Sequence, residues 1–113
     1  MTDHVLHPGL TAQRWHRLTV EEQLGNVGTE VARAMRAKAL GNDERQTFAL
    51  ARALELFDFT LSDERWRGGR RREIARAREV VCDFVVGSNE YRSTAASLDA
   101  YFLQFAASAR HGR

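Results

Sequence analysis

Apolar residues recur at intervals of three and four along most of this chain, the period of a helix buried along one side. The clearest run is Leu24, Val27, Val31, Met35 and Leu40. Thr19-Val20-Glu21-Glu22 precedes it as a capping box, the Thr19 hydroxyl and Glu22 carboxylate placed to satisfy the first free amides. Gly41 follows it as a left-handed terminator. A second run, Phe48, Ala51, Leu54, Phe57 and Leu61, supplies the inward stripe of a second helix. Asn42 or Asp43 caps that helix and Gln46 completes another box. The stretch Ser62-Asp63-Glu64 begins a break that Gly68-Gly69 extends. A third helix covers residues 70–86 with Ile74, Ala77, Val81, Phe84 and Val85 on one face, and Gly87 closes it. Ser93 caps the fourth, whose Leu98, Tyr101, Phe102, Phe105 and Ala109 keep the rhythm. Only FDFTL and EVVCDFVV look strand-like, and both sit inside longer helical periods.

Residues 1–17 show neither period and contain Pro8, Gly9 and His4, His7 and His16. They read as a flexible N-terminal arm, with Trp15 folding back as a single apolar anchor. The expected fold is therefore all-α: an antiparallel four-helix bundle over residues 18–110, the arm before it and a tail at 111–113. Four short helices bury a modest core, and each has a wide apolar face, so the expectation includes self-association into a homo-oligomer. No apolar run approaches the roughly 18 residues of a membrane span, and the first residues lack the basic and apolar regions of a secretory signal. One cysteine among 113 residues cannot close an intrachain disulfide, which fits a reducing cytoplasm.

The net charge is only +2, but the cations are unevenly chosen and placed. Lys38 is the only lysine, and residues 64–79 hold seven arginines against three glutamates. Codon usage accounts for an arginine bias; so does the planar fork that grips phosphates and carboxylates. The zone reads Arg65-Trp66-Arg67-Gly68-Gly69-Arg70-Arg71-Arg72, an aromatic between cations on a turn that opens a helix. Arg70, Arg71 and Arg72 would neutralise phosphates, Arg65 and Arg67 would extend the patch, and Trp66 would stack on an unpaired base. An ordinary solvated turn, or a docking site for an acidic protein, is the competing reading.

Gly25 and Gly28 interrupt a well-signalled helix, where each costs about 1 kcal/mol relative to alanine. Two glycines nearly one turn apart suit a close approach by another helix, within the bundle or across a dimer. The acids Glu55 and Asp58, and Glu79 and Asp83, are spaced to share helix faces, as are Asn26, Glu30 and Arg33. They suit either a divalent cation or interhelical pairs with Arg33, Arg52, Arg76 and Arg78. The di-iron pattern of Glu-x-x-His pairs is missing. Cys82, in Val80-Val81-Cys82-Asp83-Phe84, has no histidine near it in sequence and reads as a small core residue rather than a nucleophile.

Four segments resemble a group of short bacterial helical proteins: Asn26-Val27-Gly28-Thr29-Glu30-Val31, Ala53-Leu54-Glu55-Leu56-Phe57-Asp58, Arg78-Glu79 with Asp83, and Asn89-Glu90-Tyr91 followed by Tyr101-Phe102. The resemblance spans about residues 20–106; it implies the helical fold and no activity. Separately, Glu55-Leu56-Phe57-Asp58 is similar to the second half of the paired motif of MazG-type pyrophosphatases. In the first half, Glu21-Glu22 is followed by Gly25-Asn26 where that family places another Glu. The sequence thus points to a non-catalytic accessory or adaptor, with no metal or cofactor, that contacts an RNA or DNA backbone within a larger assembly. A purely protein-binding module comes second and a Mg²⁺-dependent nucleotide hydrolase third.

Overall fold

The computed structural model describes residues 10–111, as five helices: α1 (Ala12–Trp15), α2 (Val20–Ala39), α3 (Asp43–Leu61), α4 (Gly69–Val85) and α5 (Ala95–His111), with a 3₁₀ turn at Glu64–Trp66. Helices α1, α2, α3 and α5 start where a local side chain satisfies their first amides. No strand occurs among the described residues. The box at the head of α2 is formed: Thr19 Oγ1 accepts from the Glu22 amide at 3.1 Å and Glu22 Oε1 from the Thr19 amide at 2.9 Å. Its other end is a Schellman turn. The Asn42 amide donates back to Ala37 O and the Gly41 amide to Lys38 O, with Gly41 at φ +71°, a conformation that glycine adopts without strain.

Two cap assignments shift. Asn42 caps α3 by accepting from the Arg45 amide at 3.1 Å, whereas Gln46 leaves the helix end and donates to Val85 O at the close of α4, 2.9 Å away. At α5 the cap is Thr94 and not Ser93: Thr94 Oγ1 accepts from the Ser97 amide, and Ser97 Oγ from the Thr94 amide, at 2.9 and 3.0 Å. Ser93 is instead held in the preceding loop by Asn89.

The core is one cluster drawn from all five helices. Helix α2 is its centre, packing on α3 and α5 and touching α4, while α4 leans chiefly on α3. Leu24, Val27, Val31 and Met35 are buried, as their spacing predicts. On α3 the predicted stripe is rotated. The buried residues are Ala49, Leu50, Ala53, Leu56, Phe57 and Thr60, while Phe48 is exposed. Apolar residues surround this helix, so periodicity alone chose the wrong edge.

The segment expected as a loose arm divides. Residues 1–9, with His4 and His7, lie outside the described residues. From Leu10 on, the chain is docked: Thr11 caps α1, and Trp15 is buried with its indole N–H donating to Thr60 Oγ1 at 2.8 Å. The last described residue, His111, still belongs to α5. No helix among the described residues is long and apolar enough to cross a membrane.

Candidate nucleic-acid interface

The arginine zone begins in the turn between α3 and α4, and the polar groups of its first two residues are engaged within the chain. Asp63, only 3% exposed, accepts from the Arg65 amide at 3.0 Å, from Arg65 Nε at 3.0 Å and from its terminal nitrogen at 2.7 Å. The same terminal nitrogen donates to His16 O and Leu18 O, each 2.6 Å away. Arg65 thereby ties α3, the α1–α2 link and the turn together. Its hydrogen bonds to Asp63, helped by that of Gln23, hold the Asp63 carboxyl down to about 2 against the opposing effect of burial.

Trp66 is part of the same clasp. Its ring packs against the core beneath the Arg65 guanidinium, 4.4 Å from the ring centre. Its N–H donates to Gln23 Oε1 at 2.7 Å. Gln23, fully buried, completes the network through Nε2, which donates to Trp15 O and Asp63 Oδ2 at 3.0 and 3.1 Å. A buried amide with every group matched fixes one arrangement of its neighbours. The expected stacking role of Trp66 and the backbone-contacting role of Arg65 therefore meet side chains already committed to the fold.

The remaining cations divide in two. Arg67 pairs with Glu64, and Arg70 pairs with Glu73 at 2.9 Å. Arg71, Arg72 and Arg76 are exposed and take part in no ion pair among the described residues. At 100° per residue they lie on one side of α4, around Ala75 and with one acid, Glu79, between them. Arg76 also stacks over the Tyr91 ring at 5.4 Å. The helix starts on Gly68, which has no side chain to cap it, and its first turn carries no acid. The basic surface free of ion pairs among the described residues is thus the outer face of α4, with the Arg67–Glu64 pair exposed in the turn before it.

Gly25 and Gly28 lie against α5. An added Cβ at Gly28 would sit 2.5 Å from Phe102 Cβ, and one at Gly25 would sit 3.2 Å from Ala106 Cα. Close approach within the molecule is the reason for both.

Three of the acids, Glu30, Asp58 and Asp83, serve structure. Glu30, buried, accepts from Arg33 on its own helix and from Arg52 on α3, at 3.1 and 3.2 Å. Asp58 pairs with Arg78 across α3 and α4 at 3.1 Å. Asp83 accepts from the Glu90 and Tyr91 amides and fixes the α4–α5 loop. No three His, Cys, Asp or Glu residues among the described ones gather as a metal site. Cys82 is half-buried, and burial pushes its thiol up, away from the thiolate. No protein-family model matches this chain, and neither a curated protein nor a solved structure resembles it significantly.

Proposed function

We propose that the chain is a non-catalytic adaptor that contacts the phosphate backbone of RNA or DNA with the outer face of α4. The carrying observation is the trio Arg71, Arg72 and Arg76, exposed on one side of a helix whose first turn has neither a side-chain cap nor an acid. Guanidinium forks and the positive end of the helix both favour phosphate. Three phosphate contacts give log K a salt slope of about −2.7 on duplex, or roughly a 40-fold loss between about 50 and 200 mM salt. Contacts from all five arginines of residues 65–72 would steepen that slope to about −4.5.

The test is fluorescence anisotropy with short single-stranded and duplex RNA and DNA over a salt series, using wild type and an Arg71/Arg72/Arg76→Ala variant. Binding whose slope the triple variant flattens is the expected result. Absent binding, or an unchanged slope, overturns the proposal in favour of the protein-binding module, which gains weight from Arg65, Trp66, Arg67 and Arg70 being engaged within the chain.

The same reading takes the protein to be a cytoplasmic antiparallel bundle that self-associates. Contacts of Gly28 with Phe102, of Arg52 with Glu30 and of Gln46 with Val85 support opposed neighbouring helices. A cleft of about 290 Å³ between α4 and α5, lined by Val80, Leu98 and Tyr101, supports association by leaving that seam open. Sedimentation of the intact chain measures it.

A further inference from the structure

Leu40 and Phe48 are the bulkiest apolar side chains at the α2–α3 corner, and they are 76% and 52% exposed. Both line a groove of about 640 Å³ whose lining includes Ala37 and Ala49. Arg33, Arg36 and Arg45 also line it, against one acid, Glu44. The groove is a built feature. The Schellman turn sets the corner, Glu30 fixes Arg33, and the Arg52 guanidinium lies 5.6 Å over the Phe48 ring and holds it. It lies at the end of the molecule where Gln46 meets Val85, away from the Arg65 clasp and the first turn of α4.

Exposed apolar anchors ringed by an excess of one charge mark a recognition surface. Its charge selects among occupants. A second copy docking symmetrically would set three arginines against three, and like charges brought together oppose association. A nucleic acid would satisfy the arginines but leave Leu40 against phosphate or sugar, and one face of Phe48 is already taken by Arg52. An amphipathic helix with apolar residues at three-four spacing and acids beside them satisfies both sets at once.

We infer that this corner groove docks an acidic amphipathic helix of a partner protein, with Leu40 and Phe48 as the apolar anchors and Arg33, Arg36 and Arg45 as the charge filter. The site is independent of α4 and makes the chain a two-ended connector.

The probe is a fluorescein-labelled synthetic helix of leucine at three-four spacing with glutamate elsewhere, beside its lysine-for-glutamate counterpart, both followed by anisotropy with the full chain. The glutamate peptide is expected to bind saturably and the lysine peptide not to. Phe48→Ser, and separately Arg36→Ala with Arg45→Ala, should each weaken binding about tenfold or more, the scale of removing an interface anchor. All these side chains are exposed, so thermal unfolding should show every variant folded. Arg71/Arg72/Arg76→Ala should bind the peptide like wild type, which separates failure here from failure of the phosphate proposal. No saturable binding below millimolar, equal binding of both peptides, or unaffected variants overturns the inference. Loss of oligomer or of RNA binding in Phe48→Ser, with peptide affinity unchanged, reassigns the groove to a second copy or to nucleic acid.

Discussion

Replacing Arg65 by alanine separates a surface cation from a structural one. The side chain holds Asp63 through two nitrogens, closes on His16 O and Leu18 O, and covers the Trp66 ring. Its loss leaves a buried carboxylate with Gln23 and one main-chain amide. Breaking a buried ion pair costs about 3–5 kcal/mol. Because the Arg65 side chain is 45% exposed, water can replace part of what it gives, so we expect about 2–3 kcal/mol. The titration of Asp63 sets the scale: a carboxyl lowered from 3.8 to about 2 contributes about 2 kcal/mol, of which the Arg65 side chain supplies the largest share and the residue-65 amide and Gln23 the rest. For a domain of this size the loss lowers Tm by roughly 10 °C.

The assay is urea unfolding followed by far-UV circular dichroism, with the slope m unchanged between variants. The pH series carries its own sign. The folded carboxyl lies below its unfolded value, so its contribution is complete above about pH 4 and fades as pH falls toward about 2. The gap between wild type and Arg65→Ala should therefore narrow over that window, leaving the part that comes from His16 O, Leu18 O and the Trp66 ring. A variant within about 0.5 kcal/mol of wild type at neutral pH, with a shallower salt slope for nucleic acid, would refute the clasp and put Arg65 on phosphate.

Gly28→Ala should destabilise by about 1–2 kcal/mol, because the cost of overpacking against Phe102 exceeds the gain in helix propensity; Gly25→Ala should cost less. A urea midpoint raised in Gly28→Ala would refute the close approach. Cys82 should react slowly with a thiol reagent at neutral pH in the native protein and at an ordinary cysteine rate in urea, since burial raises its pKa. Equal rates would mean that the thiol is open to solvent.

Helix ends were legible where the signal was local. Thr19 with Glu22, and Gly41 beside Asn42, are complete within a few residues, and each sits where it was expected. Gln46 and Ser93 misled because a neighbouring residue or a distant carbonyl satisfied the same polar group equally well. Phe48 misled because α3 carries large apolar residues on more than one side, so the choice of inner face belongs to packing. The clasp was the least legible. Gln23, Asp63 and Trp66 are each unremarkable in sequence, and what joins them is a fold that brings residues some forty positions apart within hydrogen-bond reach. A cation beside an aromatic looks the same whether it faces phosphate or a buried carboxylate.

The clasp also determines what the protein's own light can report. The chain has two tryptophans, and Trp15 and Trp66 both sit in that corner with their indole N–H groups engaged. Intrinsic emission is thus a local gauge. It follows the corner where the α1–α2 link, the end of α3 and the turn into α4 are joined, and it is nearly blind to the groove beside Phe48. Were the α2–α3 corner beside Phe48 to fray first on heating, tryptophan fluorescence would stay native while circular dichroism fell. The lag between the two signals would measure how far the molecule departs from a single cooperative unit.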